Sequence, residues 1–161
     1  MMDHQIDRSA GCGVRTSPPM LYCLIFLVCS LLPKLIFLNH AIFQSQTIKF
    51  VGIPLIVAAV LILYQGFNSF HAQQTTILFS KPVTALITQG IFNYSRNPIY
   101  LGYSLLYVGF MCTIGNWWHL ILFPFLIVIM QVSVIGPEEK YLERAFGQQY
   151  LDYKNKVRRW L

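Results

Sequence analysis

Charge is what this chain has least of. Asp, Glu, Lys and Arg make up 11% of its 161 residues, against roughly 25% in soluble domains. With 55% hydrophobic residues, that shortage excludes most soluble folds. It also excludes a disordered chain, which needs low hydrophobicity and high net charge. Cysteine is scarce and unpaired in pattern: Cys12, Cys23, Cys29 and Cys112 form no C-x-x-C. Neither a disulfide framework nor a metal site is indicated, and these residues read as small apolar side chains. No strand followed by G-x-G-x-x-G occurs, so a Rossmann-type nucleotide domain is absent. No nucleic-acid motif occurs either. The length sets a single domain as the expectation.

Long apolar runs are present instead. Residues 20–38, 50–67, 99–115 and 117–135 each carry 17 to 19 predominantly apolar residues, about the number needed to cross a ~30 Å hydrocarbon core. The predicted architecture is an all-α integral membrane protein with about four transmembrane helices. Residues 1–19 form a polar tail and 20–161 a single domain. A cleaved signal peptide is the rival for the first run, but Pro33-Lys34-Leu35 stands where a small-residue cleavage site would be. Gly115-Asn116 leaves almost no loop between the third and fourth runs, which therefore form an antiparallel hairpin. Residues 68–98 are the longest connection.

The few charges are sorted by side. Four spans place the N-terminal tail, the 68–98 connection and the C-terminus together. Ten of the 12 basic residues fall there: Arg8, Arg15, Lys81, Arg96, Lys140, Arg144, Lys154, Lys156, Arg158 and Arg159. The positive-inside rule makes that side cytoplasmic, with both termini. The excess of basic residues points to a membrane surface as partner, with no nucleic acid. After Gly136-Pro137, apolar residues recur at Leu142, Phe146, Tyr150, Tyr153, Val157 and Trp160. Steps of three and four predict an amphipathic C-terminal helix over 137–161, lying on the cytoplasmic membrane face. Gly147 is the candidate break in it.

Polar groups concentrate at one end of the spans. Arg96-Asn97-Pro98 stands at the mouth of the third span and Glu138-Glu139 at the end of the fourth. The hairpin lets them meet. Taken singly, each has a plain structural role: Arg96 as a membrane anchor, Pro98 as a helix start, the two acids as first-turn residues. Together at a membrane boundary they form a candidate site.

Their order resembles a known family. Leu86-Ile87-Thr88-Gln89-Gly90-Ile91-Phe92, then Ser95-Arg96-Asn97-Pro98-Ile99-Tyr100-Leu101-Gly102, then Glu138-Glu139 with Leu142, then Phe146-Gly147 with Tyr150 and Tyr153, is similar to the isoprenylcysteine carboxyl methyltransferase family. The broader group includes membrane phospholipid methyltransferases. The resemblance covers about residues 48–161. It implies a membrane-embedded enzyme that uses S-adenosyl-L-methionine and methylates a lipophilic acceptor, such as the carboxylate of a prenylated or other hydrophobic molecule. A phospholipid-type N-methyltransferase is the alternative, as is a non-catalytic membrane protein keeping the fold.

Carried over, the resemblance implies cofactor contacts at Thr84, Ala85, Leu86, Ile87, Phe92, Asn97, Pro98, Ile99, Tyr100, Glu138 and Glu139. It implies catalytic roles for Arg96 and Glu139. The residue types suit such a ligand: a carboxylate for its ammonium, aromatic faces for its sulfonium or adenine. Two departures stand out. Asn97 occupies the position of the family's histidine, and it hydrogen-bonds without titrating near neutral pH. The arginine that many members carry shortly before the acidic pair is missing, since residues 132–136 read Val-Ser-Val-Ile-Gly.

Overall fold

The structure is a computed structural model and describes residues 17–36, 38, 43, 45–73 and 85–161. The predicted tail before Ser17 and the site residue Thr84 lie outside these. All regular elements among the described residues are helical. They are α1 (Pro18–Leu31), α2 (Gln46–Ala72), α3 (Pro98–Ile114), α4 (Trp117–Met130), α5 (Gly136–Phe146) and α6 (Gln148–Lys156).

Among the described residues, two helices are long and apolar enough to cross a membrane. One is α2, of 27 residues; the other is the continuous helix Trp117–Phe146, of 30. At 1.5 Å per residue they measure about 40 and 45 Å. The other two apolar helices are shorter: α1 has 14 residues and α3 has 17. The expected first span, 20–38, therefore stops early. Its last turn tightens to a 3₁₀ turn over Leu32–Lys34, because Pro33 brings no N–H to an α-helical ladder. Outward faces are apolar: Phe50, Val57 and Leu61 on α2, and Phe125 and Val128 on α4, are all exposed. Apolar exposure on this scale is a membrane or interface surface.

The tightest pairing is between α2 and α3, which run antiparallel. Glycines let their backbones touch. A Cβ on Gly52 would lie 2.7 Å from the Gly109 carbonyl oxygen, and one on Gly109 would lie 3.0 Å from the Ile56 nitrogen. Gly102 and Gly66 receive the Leu63 and Ile99 side chains in the same way. Close approach through small residues is how helices associate where no hydrophobic effect separates protein from solvent.

At the far end of the bundle, polar bonds tie α1 to the α3–α4 turn. The Asn116 side chain caps α4 by accepting from Trp118 N–H at 2.9 Å, and its amide donates to the Cys29 carbonyl at 3.2 Å. The His119 ring accepts from Asn116 N–H through Nδ1 at 3.2 Å, completing a capping box. Asn116→Ala removes the cap and orphans a buried carbonyl. It should lower stability by about 2 kcal/mol, measurable as a shift in the denaturation midpoint in micelles.

The fourth span does not end at residue 135. It continues through a π turn, Gln131–Ile135, into α5. Gly136 N–H bonds back to the Gln131 oxygen, the wider i+5 spacing. Pro137 then starts α5 at a position that needs no donor. The predicted single C-terminal helix is two helices, broken at Gly147 with φ +53°. Its apolar stripe turns inward. Tyr150 and Tyr153 of the stripe are buried, and Leu142, Phe146 and Trp160 pack, half-buried, against the core. Residues 157–161 follow as an extended segment, with Trp160 against the core.

Candidate active site

Five pieces of chain converge at one end of the bundle. The segment 85–97 carries a 3₁₀ turn, Gly90–Asn93. The first turn of α3 follows Asn97. The start of α5 brings the acidic pair. The two C-terminal pieces, α6 and the extended segment, close the arrangement from below.

Hydrogen bonds fix each piece. Tyr153 Oη donates to the Phe92 carbonyl at 2.7 Å. Arg96 N–H donates to the Arg158 carbonyl at 3.0 Å. The Arg159 carbonyl accepts from Ser95 Oγ and from Asn97 Nδ2, both at 3.2 Å. Asn97 thus uses its amide to hold the C-terminal segment, a task with no need of a titrating ring. Phe70 from α2 meets Phe92 edge-on, with centroids 5.7 Å apart.

The two carboxylates differ in setting. Glu138 is 6% exposed and lies under Tyr100, whose hydroxyl is 2.7 and 2.8 Å from its two oxygens. Glu139 is pinned between two guanidiniums. Arg159 reaches both its oxygens, with Nε at 3.0 Å and Nη2 at 2.6 Å. Arg96 Nη1 stands 3.3 Å from Oε1. Adjacent helical residues point about 100° apart, which divides the two acids, and the π turn before them turns the pair together. One extra residue per turn rotates the helix downstream by about 100°, which directs both acids toward the α3 mouth. The hydrogen bond from Arg159 to Glu139 raises the Arg159 pKa. Burial, with Glu139 adding, pushes the Tyr150 hydroxyl up to about 12. Burial also raises the Tyr153 pKa. Both hydroxyls stay protonated donors across the physiological range.

A cavity opens among these groups. It is lined by Phe70, Ala85, Leu86, Ile87, Phe92, Arg96, Asn97, Pro98, Ile99, Tyr100, Glu138, Leu142, Tyr150 and Tyr153. The structure thus brings ten of the residues named from the sequence to one wall. Glu139 stands behind that wall, bonded to Arg96. The sequence reading did not single out Phe70, Leu142, Tyr150, Tyr153 or Arg159 for the site. The two tyrosines had a signal in their motif spacing. Arg159 was one cation in a run of them, and nothing marked Phe70. The cavity volume, about 80 Å³, is below the roughly 300–1,000 Å³ of small-molecule sites. A cofactor-sized ligand must widen it.

Known proteins resemble this chain over part of its length. The family model described as phospholipid methyltransferase matches residues 47–149. A protein-S-isoprenylcysteine O-methyltransferase of Saccharomyces cerevisiae is 36% identical over 72 residues, which is 45% of this chain and 30% of that protein. Protein-S-isoprenylcysteine O-methyltransferase B of Arabidopsis thaliana is 32% identical over 72 residues, 45% of this chain and 36% of that one. An uncharacterized protein of Haemophilus influenzae is 42% identical over 66 residues, 39% of this chain and all of that protein. The match thus spans about a third of the length of the two named methyltransferases. No solved structure matches the chain.

Proposed function

Because the chain belongs to the phospholipid methyltransferase family, we propose that it is an integral membrane methyltransferase that takes its methyl group from S-adenosyl-L-methionine. The acceptor is a lipophilic molecule entering from the bilayer. The observation that carries this reading is the meeting of Tyr100 and Glu138, at 2.7 and 2.8 Å, over a cavity at the end of apolar helices. In this reading residues 20–161 act as one domain. All four apolar helices, α1 to α4, cross the membrane, and the site and both termini face the cytoplasm. The alternating helix directions support that topology: Tyr22 bonds Ser104 and Cys29 bonds Tyr107, so α1 runs parallel to α3.

The cofactor supplies an electrophilic methyl group on a sulfonium. The chain's own residues do the rest. Glu138 pairs with an ammonium by a charge-assisted bond, and Tyr100 orients that carboxylate. Phe92 and Phe70 present aromatic faces to a cation or an adenine. Backbone groups of Ala85 to Ile87 and of Asn97 to Ile99 form the wall beside them. Glu139 anchors Arg96 and the C-terminal segment. Alignment and exclusion of water then suffice for a direct displacement.

Isothermal titration of the purified protein with S-adenosylhomocysteine tests the reading. Saturable binding is expected, and its absence would leave a non-catalytic membrane protein. Labelling membranes with methyl-tritiated cofactor then identifies the acceptor. A base-labile lipid label means carboxyl methylation. A base-stable one means N-methylation of a phospholipid amine, the reading that the family's description favours.

A further inference from the structure

Among the described residues, helix α1 contributes no wall to the cavity. It also lies before residue 47, where the match to the family model begins. A series of hydrogen bonds nevertheless joins it to the site. Tyr22 Oη is 2.8 Å from Ser104 Oγ, and Ser104 Oγ donates to the Tyr100 carbonyl at 2.8 Å. A serine hydroxyl carries one proton. Ser104 directs it at Tyr100, so Tyr22 is the donor in the first bond. The Tyr100 hydroxyl in turn donates to Glu138. The donors all point one way, from α1 through α3 to α5.

Burial makes the series matter. Tyr22, Ser104, Tyr100 and Glu138 are all buried, so bulk water cannot stand in for a lost partner. A serine that bonds the carbonyl four residues back bends its helix. Ser104 does this at the start of α3, where Pro98, Ile99 and Tyr100 line the cavity. Without a donor aimed at its oxygen, the Ser104 side chain can leave that rotamer; Tyr22 holds it there. Tyr22 also shares a core cluster with Tyr100. The other end of α1 supplies a comparison. Cys29 Sγ is 3.6 Å from Tyr107 Oη, a buried contact between the same two helices, and neither residue lines the cavity.

We infer that Tyr22 is a positioning residue of the site: acting through Ser104, it fixes the start of α3 and so the aim of the Tyr100 hydroxyl at Glu138. Helix α1 then belongs to the working site without lining it. The effect on ligand binding rests on the methyl-transfer reading above; the effect on α3 rests on the hydrogen bonds alone.

The test uses the full chain in phosphatidylcholine nanodiscs, with S-adenosylhomocysteine as the probe. Tyr22→Phe keeps the ring and removes the donor, and it should raise Kd about fivefold. Ser104→Ala should do the same, and the two together should cost no more than either alone, because they break one series. Tyr107→Phe should leave Kd unchanged. In a Tyr100→Phe background, Tyr22→Phe should have no further effect, which a general loosening of the bundle would not produce. Hydrogen exchange gives a readout free of any ligand. Tyr22→Phe should speed exchange of the amides of residues 101–104, and Tyr107→Phe should not. Parent-like binding by Tyr22→Phe, equal loss in Tyr107→Phe, or a full fivefold loss in the Tyr100→Phe background overturns the inference. If the parent chain does not bind S-adenosylhomocysteine, the methyl-transfer reading falls by itself. Exchange at 101–104 then decides the role of Tyr22: faster in Tyr22→Phe alone upholds it, and unchanged overturns it.

Discussion

Glu138→Ala should abolish measurable binding of S-adenosylhomocysteine while leaving the fold as stable as before, or more so. Truncating one partner of a buried, hydrogen-bonded charge pair costs about 2–5 kcal/mol, a rise in Kd of thirtyfold to several thousandfold. The same carboxylate is a burden to the empty protein. It is 6% exposed, the Tyr100 hydroxyl that bonds it is neutral, and replacing such groups by apolar ones is often neutral or stabilising. Binding and stability should therefore move in opposite directions, as expected for a group retained for function. Tyr100→Phe gives the graded comparison. It keeps the carboxylate and removes one hydrogen bond, so about 0.5–1.5 kcal/mol of affinity should go. Titration calorimetry paired with thermal unfolding of each variant checks both. A Glu138→Ala protein that binds normally would remove the ammonium pairing from the mechanism.

The meeting of Arg96 with the acidic pair was legible in the sequence because it needed only topology. Gly115-Asn116 forces a hairpin, and a hairpin of two helices returns its ends to one end of the bundle. The finer division of labour was not legible. Glu138 and Glu139 are adjacent in sequence, yet one faces the cavity and the other is pinned by two arginines. Where the pair as a whole points depends on the π turn at Gln131–Ile135, whose residues look like ordinary apolar helix. Pro137 suggested a new helix, but a wider turn lets the chain pass through it. The C-terminal stripe has a helical period, and most of it packs against the core. A helical period specifies a buried face and leaves open whether lipid or protein buries it. Arg159 stayed hidden because a cation in a basic run has no local mark. Its role comes from the extended segment 157–161, fastened by the backbone carbonyls of Arg158 and Arg159.

Gly109→Leu should be the most damaging single change outside the site. An added Cβ would stand 2.6 Å from Ile56 Cγ1, 3.0 Å from the Ile56 nitrogen and 3.1 Å from the Gly52 oxygen. Two of those atoms are backbone and cannot turn aside, so the helices must separate. Overpacking typically costs about 1–3 kcal/mol, and backbone contact on both sides puts this position at the upper end or beyond. The damage should reach the site, because α2 carries Phe70 and α3 carries Pro98 to Tyr100, all of which line the cavity. Gly66→Ala separates the two causes. Its nearest neighbour is the Ile99 side chain, at 2.9 Å, which can change rotamer at about 1 kcal/mol. Gly109→Leu should therefore lose its monodisperse profile in detergent together with ligand binding. Gly66→Ala should keep its profile and bind less well, since Ile99 lines the cavity. If both variants behave like the parent chain, the glycine contact between α2 and α3 is not what holds the cavity walls in place.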